Sequence, residues 1–338
     1  MYIIGGNALG DKIRIGIVGY GNVGKGVRLA AYQNPDMELV AIFTRRDVNS
    51  INIDDTSVKV VNVLEAESFK DTIDVMILCG GSATDLVEQG PYFAKMFNTV
   101  DSFDTHAKIP EYFDAVDKSA QMGENTSLIS GGWDPGLFSL NRVMAEAILP
   151  RGRGYTFWGP GVSLGHSDAI RRIEGVKDAV QYTIPKESAV ESIRKGNMPK
   201  LTNGDRHVRD CYVVIEEGAD KAEIENKIKT MKNYFAEYET QVTFITEEEL
   251  KCKHGGLPHG GLVIHSGVTG ADEENISVVE YSLNLGSNAE FTASVLIAYA
   301  RAVYRLNREG VIGAKTVLDI PPAYLSHKSD EELRRNLL

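Results

Sequence analysis

The chain has 338 residues with a net charge of −11, and its apolar and charged fractions are those of an ordinary soluble protein. That length allows two domains with a sizeable core, and the acidic balance argues against general nucleic-acid binding, which needs a basic face. The three cysteines, Cys79, Cys211 and Cys252, are scattered and lack CxxC spacing, and no apolar run approaches the ~18 residues of a membrane span. A reducing, cytoplasmic setting without disulfides or structural zinc is therefore expected. No secretion signal is evident at the start, and Met1 to Asp11 reads as an extension without a function of its own.

The β-branched run Ile13 to Val18 predicts a buried strand. The turn Gly19-Tyr20-Gly21-Asn22-Val23-Gly24 follows, then a helix over Lys25 to Gln33, closed by Asn34-Pro35. A second strand, Leu39 to Phe43, ends in Thr44-Arg45-Arg46. Strand, glycine turn, helix and strand make the setting of a dinucleotide fingerprint. Gly19 permits the turn, Gly21 admits a pyrophosphate, Gly24 packs helix on strand, and the helix N-terminus offers N–H groups to the phosphates. A turn that only joins two elements is the bland alternative. At the end of the second strand an NAD site usually carries a carboxylate for the ribose 2′-hydroxyl. Here there is none until Asp47. Thr44, Arg45 and Arg46 suit a 2′-phosphate, so NADP is expected over NAD, unless the two arginines are only a solvated pair.

Asp74 to Cys79 predicts another buried strand, ending in Gly80-Gly81-Ser82-Ala83-Thr84-Asp85. Ligands of a doubly wound sheet sit outside the carboxyl ends of its strands. Ser82, Ala83 and Thr84 are thus candidates for the ribose or nicotinamide side of the cofactor, with helix capping by Ser82 or Thr84 as the alternative. Asn98 to Asp104 is a short strand ending in carboxylates, and Asp101 and Phe103 complete the cofactor-binding candidates. Thr126 to Ser130 is a further strand, ending in Gly131-Gly132-Trp133-Asp134-Pro135-Gly136. Asp104 and Asp134 therefore arrive where the nicotinamide is expected. A carboxylate there can hold an ammonium group or act as a base, although turns and caps also use Asp.

Leu137 to Leu149 reads as a helix leaving the first domain. Strands are then expected at Arg206 to Ile215, Gln241 to Thr246, Gly261 to Ser266 and Val278 to Asn284, with an amphipathic helix over Asp220 to Phe235. Glu290 to Arg308 reads as one long helix and Thr316 to Ile320 as a last short strand. The fold class is α/β: a Rossmann-type doubly wound dinucleotide-binding domain, residues 1–132 completed by 289–338, with an inserted α+β substrate and dimerisation domain, residues 133–288, on an open mixed sheet. In that insert, Arg209 shares a strand face with His207 and Cys211, so a buried charge there needs an anionic partner: a substrate carboxylate or an internal Asp. His254 and His259 lack a carboxylate or cysteine at ligand spacing, and no metal is expected.

Taken together, GYGNVGKG with its downstream TRR, GSATD, TVDSFDTH, SGGWDPGLFSLNR, TFWGPGVSLGHSDAIRRIEGV, AVQYT, RHVRDC, LPHGG and NAEFTAS resemble the meso-diaminopimelate dehydrogenase family over nearly the whole chain. FWGPG…GHSDA and GGWDPG are the specific segments. The resemblance implies NADP-dependent, reversible oxidative deamination at the D-centre of meso-2,6-diaminopimelate, giving L-2-amino-6-oxopimelate, ammonium and NADPH. In reverse this supplies lysine and a peptidoglycan precursor. It also implies a homodimer formed through the second domain. Residue by residue, Asp104, Trp133 and Asp134 match positions around the reacting amine, and the backbone at Leu164 and Gly165 matches the site of the nearby carboxylate. Thr183, Arg209, His259 and Asn288 match positions that hold the distal L-centre, and Trp158 matches an aromatic wall. The departures are the N-terminal extension, a long loop over Asp272 to Ile276, and Leu164, which stands where relatives vary and bears on tolerance for other D-amino acids. The other readings are an NADP-dependent dehydrogenase of another D-amino acid or an aspartate-like substrate, and a catalytically silent NADPH-binding sensor.

Overall fold

The computed structural model describes residues 12–256 and 258–338, so the expectation for Met1 to Asp11, and Leu257 of the LPHGG segment, lie outside the described residues. The chain divides into two compact units, one running to Leu140 and resuming at Ala289–Leu338, the other Asn141–Asn288. The division falls at Leu140 and Asn141, inside the helix after Pro135, and the Gly131 N–H donates to the Asp101 carbonyl (2.8 Å).

In chain order the first unit contains β1 (Ile13–Val18), α1 (Asn22–Tyr32), β2 (Met37–Thr44), β3 (Lys59–Asn62), β4 (Val75–Leu78), α2 (Val87–Ala94), β5 (Asn98–Asp101), α3 (Ile109–Met122), β6 (Thr126–Leu128) and the start of α4 (Leu137–Ile148). The second contains β7 (Gly152–Trp158), β8 (Gly161–Val162), α5 (Leu164–Arg171), β9 (Val176–Pro185), α6 (Glu187–Arg194), α7 (Asn203–Arg206), β10 (His207–Ile215), α8 (Lys221–Lys229), β11 (Glu239–Phe244), α9 (Glu247–His254), β12 (His259–Thr269) and β13 (Asn275–Leu285). The chain then returns to the first unit with α10 (Asn288–Arg308), β14 (Gly313–Lys315) and α11 (Asp330–Leu337).

The first unit's sheet has the order β14-β6-β5-β4-β1-β2-β3, with every pairing parallel. This is the doubly wound order with one strand added at the far edge. Its strands are apolar runs because both faces are covered. Ile15, Ile17, Val75 and Ile77 face α1 and α10, while Val18, Phe43, Met76 and Leu78 face α2 and α3. The apolar stripe of α10, with Leu296, Tyr299, Ala300 and Val303 all buried, completes the first of these two cores. Arg301 pins that helix. It is 2% exposed and donates to both carboxylate oxygens of Asp36 (2.5 and 2.7 Å), to Asn34 Oδ1 (2.8 Å) and to the Leu325 carbonyl (2.7 Å). A buried guanidinium with those donors satisfied specifies how the returning segment docks.

The expected strand at Thr316 to Ile320 is corrected. The strand is Gly313–Lys315, and Val317–Asp319 forms a 3-10 turn closed by a capping box between Thr316 and Asp319. Thr and Asp three apart prefer that local bonding to a ladder. Similarly, the helix expected from Asp220 to Phe235 stops at Lys229, with Thr230 as its C-cap.

The second unit holds a four-stranded mixed sheet, β11-β10-β9-β8, and beside it an antiparallel one, β13-β12-β7. The open mixed sheet is thus accompanied by a second sheet. β10 alternates strictly at its start, burying His207, Arg209 and Cys211.

Candidate active site

β1 is followed by Gly19, whose φ of +90° favours glycine. A Cβ on Gly24 would collide with the Gly19 carbonyl, whereas a Cβ on Gly21 would meet nothing within 4 Å. Gly24 therefore serves close packing, and Gly21 leaves open space before the helix. Asn22 and Val23 begin α1, and no side chain caps it, so its first N–H groups remain for phosphates. Tyr20 itself is buried.

The same turn lines a cleft of about 290 Å³ together with Thr44, Arg45, Arg46, Gly80, Gly81 and Asp85. Thr44 Oγ1 accepts the Arg46 N–H (3.1 Å), and Arg46 Nη2 donates to the Tyr20 carbonyl (2.7 Å), so the loop after β2 is braced on the glycine turn. Arg45 is 68% exposed along its side chain and pairs with Asp85 (2.6 Å). The Gly81 N–H, and after it the charge of Arg45, hold the Asp85 carboxyl below the usual carboxylate range. Asp85 was not foreseen. Its signal was present: two adjacent arginines require a counter-charge, and the GSATD segment carries one.

Ser82–Leu86 is a π-helical turn with Gly81 as N-cap and no side-chain cap. Ser82 Oγ instead accepts the Asp104 N–H (3.0 Å), which joins the loops after β4 and β5, while Ala83 and Thr84 are exposed. Asp104 is exposed just beyond β5, and Asp134 is half-buried beyond the adjacent β6. Trp133 is 7% exposed and stands edge-on to Phe138 at 5.3 Å. A Cβ on Gly136 would collide with Gly132, so the Trp133–Asp134 turn is drawn tight.

Asp101 and Phe103, expected at the cofactor, instead turn their side chains into the core. Both are buried, Asp101 at 1% exposure and Phe103 at 0%. The Asp101 carboxylate accepts from Tyr112 Oη (2.6 Å) and from the Phe103 and Ser130 N–H groups (2.9 and 3.1 Å), and Phe103 stacks on Tyr112 at 4.0 Å. Neither presents its side chain to a ligand. Asp101, the last residue of the interior strand β5, and Phe103 just beyond it are thus core members, while Asp104 is exposed.

In the second unit, α5 begins at Leu164 with Ser163 as an N-cap whose side chain makes no capping bond. Leu164 is 60% exposed, the space beside Gly165 is open, and no side chain caps the N–H groups of this first turn. Such a turn favours an anion. Ser163 Oγ bonds His166 Nδ1 (2.7 Å).

Arg209 and Thr183 are register partners on β10 and β9, each 7% exposed. Arg209 Nη1 donates to Thr183 Oγ1, and the guanidinium carbon lies 4.0 Å from the Tyr238 ring centroid. Among the described residues no carboxylate pairs with Arg209, and its Nε and the Oε1 of buried Gln181 have no partner. Burial lowers the Arg209 pKa, yet an arginine stays charged. Burial, and then the Arg209 charge, push His166 and His207 down to about 4, so both are neutral at pH 7. His207 Nε2 accepts the Trp158 N–H (3.0 Å), and its ring stacks on the half-exposed indole of Trp158. His259 opens β12 half-buried, its Nδ1 accepting the Gly260 N–H (2.8 Å), and burial lowers its pKa. Asn288, half-buried, opens α10. Tyr238 and Gln181 escaped the sequence reading because nothing local marks them. Only strand pairing and the chain before β11 bring them to Arg209.

The family defined as the diaminopimelic acid dehydrogenase C-terminal domain matches residues 132–287. The meso-diaminopimelate D-dehydrogenase of Ureibacillus thermosphaericus is 63% identical over 97% of this chain and 100% of its own length. A multiply substituted meso-diaminopimelate dehydrogenase from Clostridium tetani, solved with DAP, is 59% identical with a TM-score of 0.90, covering 97% of this chain and 100% of that one. An engineered D-amino acid dehydrogenase bound to NADP+ is 44% identical with a TM-score of 0.81, covering 97% of this chain and 100% of that one. Identity at this level over whole chains, together with a dinucleotide turn and a buried uncompensated arginine, leads to one conclusion: the chain belongs to the meso-diaminopimelate D-dehydrogenase family, a family of oxidoreductases that use a dinucleotide cofactor.

Proposed function

We propose that the chain catalyses the NADP-dependent, reversible oxidative deamination of the D-centre of meso-2,6-diaminopimelate to L-2-amino-6-oxopimelate and ammonium. The observation that carries this reading is Arg209: a guanidinium 7% exposed, with no carboxylate partner among the described residues. A buried charge of that kind requires an anion, and the distal carboxylate of the substrate is one. Thr183 and His259 add polar contacts there, with Asn288 at the same L-centre. The uncapped N–H groups of Leu164 and Gly165 take the other carboxylate, and Trp158 forms an apolar wall.

The dinucleotide, when bound, accepts hydride from the substrate α-carbon. Around it, Gly21 and the start of α1 receive the pyrophosphate, and Ser82 to Thr84 border the ribose and nicotinamide. Asp104 and Asp134 hold the reacting amine and favour its cationic form as hydride leaves. One of them passes the proton when water adds to the resulting iminium carbon. Trp133 closes one side of that place. NADP is assigned over NAD because Thr44, Arg45 and Arg46 border the cleft after β2 where NAD enzymes carry an acid. Replacing Arg45 and Arg46 together by alanine should raise the KM for NADP+ by roughly 10- to 100-fold and that for NAD+ by about twofold at most. Equal losses on both would refute the 2′-phosphate role.

The deciding assay is spectrophotometric reduction of NADP+ with the separate stereoisomers. The meso compound should turn over and the L,L compound hardly at all. Equal rates would sink the reading, and cofactor binding without turnover on any amino acid would favour the sensor. The exposed Val143, Met144, Ile148, Ile276 and Val279 of the second unit support a homodimer through that unit. Among the described residues no helix is long and apolar enough to cross a membrane, and a cytoplasmic setting belongs to the same reading.

A further inference from the structure

We propose that Asp101, whose side chain is buried, is the positioning residue that sets Asp104 and Asp134 relative to each other. One of its oxygens, Oδ1, accepts both the Phe103 N–H (2.9 Å) and the Ser130 N–H (3.1 Å), and its main-chain carbonyl accepts the Gly131 N–H (2.8 Å). Phe103 immediately precedes Asp104, and Ser130-Gly131 opens the turn that delivers Trp133 and Asp134. The two strand-end loops thus meet on a single carboxylate, so a shift of one is felt by the other.

The carboxylate is itself held from the far side. Oδ2 accepts from Tyr112 Oη (2.6 Å), and Tyr112, on α3, is fixed by stacking on Phe103 with ring centroids 4.0 Å apart. Ser130 has φ +57°, a left-handed conformation unusual for a residue with a side chain. Its N–H bond to Asp101 helps hold that conformation, and it turns the chain from β6 towards Asp134. Next to it, a Cβ on Gly131 would meet the Leu128 side chain and the Asp101 carbonyl. Burial pushes the Asp101 carboxyl up to about 6, against the pull of these three bonds. A buried carboxyl with its bonds made on both sides is thereby placed behind the two loops, where positioned groups need support.

This inference rests on the reading of Asp104 and Asp134 as the residues that hold the amine. The experiment therefore measures Asp104→Asn, Asp134→Asn, Asp101→Ala, Asp101→Asn and Tyr112→Phe in one assay with the full chain and NADP+. Asp101→Ala should lower kcat by roughly 10- to 100-fold, the scale of a 1 Å misplacement. The Kd for NADP+ should stay within about twofold, because the glycine turn follows β1 and the arginines that border the cleft follow β2. Asp101→Asn keeps an oxygen for both N–H groups and can donate to Tyr112, so it should recover kcat to within about fivefold of the parent. If Asp101→Ala does not fold, Tyr112→Phe tests the same tie. It keeps the stacked ring, and should lower kcat several-fold and speed amide exchange at Phe103 and Ser130. The proposal is overturned if folded Asp101→Ala or Tyr112→Phe keeps kcat within twofold while Asp104→Asn and Asp134→Asn lose turnover. Asn no better than Ala, or NADP+ affinity falling in step with kcat, would also overturn it. Unchanged turnover in both Asp104→Asn and Asp134→Asn sinks the amine-site reading itself.

Discussion

Replacing Arg209 by leucine is expected to lower kcat/KM for meso-diaminopimelate by roughly 30- to 5,000-fold, the equivalent of about 2–5 kcal/mol for truncating one partner of a desolvated charge pair. The size follows from the surroundings of the guanidinium. It is 7% exposed, bonded to the Thr183 hydroxyl and laid over the Tyr238 ring, so water cannot replace the lost anion contact. The apolar replacement also removes a buried charge, and the protein should fold at least as well. With a simple D-amino acid that has no distal carboxylate, the parent must leave Arg209 without its anion, whereas the leucine variant need not. Activity on such a substrate should therefore hold or rise. Steady-state kinetics with both substrates check this. A parallel loss on the two would show that Arg209 supports the fold and does not select the substrate.

Asp134→Asn is expected to lower kcat by about 100- to 1,000-fold, the usual range for removing one group that stabilises charge in the transition state. The amide is nearly isosteric, so the tight turn closed by Gly132 and Gly136 is retained. On the proposed mechanism, what is lost is the negative charge beside an amine that becomes cationic as hydride departs. That interaction grows along the reaction path, so the loss should fall on kcat more than on KM for the amino acid. NADP+ affinity should be unchanged, since the nucleotide cleft is bordered by the β1, β2 and β4 strand ends. Fluorescence titration with NADPH beside kinetics would show it. Unchanged turnover would remove Asp134 from the site.

Local pattern was sufficient for much of the first unit. The turn Gly19 to Gly24 had its strand before it and helix after it, and the apolar runs became the central strands, since a parallel sheet buried on both faces leaves a continuous signal. Near strand ends the same kind of evidence misled. Asp101 looks like a ligand-facing acid in sequence, three residues before Asp104. Pleat and burial turn it inward to Tyr112, where it serves the loops. At the C-terminus, Thr316 to Ile320 has strand composition, but a Thr–Asp capping box competes locally and wins. The basic pair Arg45-Arg46 was legible in sequence, whereas the pairing of Arg45 with Asp85 depends on the spacing of β2 and β4 across the intervening β1.

Sequence by itself determined the dinucleotide turn, the two basic residues after β2, the acids at two successive strand ends and the inward face of β10. Each of these is a short-range matter: glycine's freedom at positive φ, the period of a strand, and the chemistry of residues adjacent in the chain. Only the tertiary structure decided which acid is core and which is exposed, that Arg209 lies between Thr183 and Tyr238 without a carboxylate partner among the described residues, and that α10 returns to the first sheet through Arg301 and Asp36. These depend on partners distant in sequence. Burial sets the cost of an unpaired charge, and burial exists only once the strands have paired.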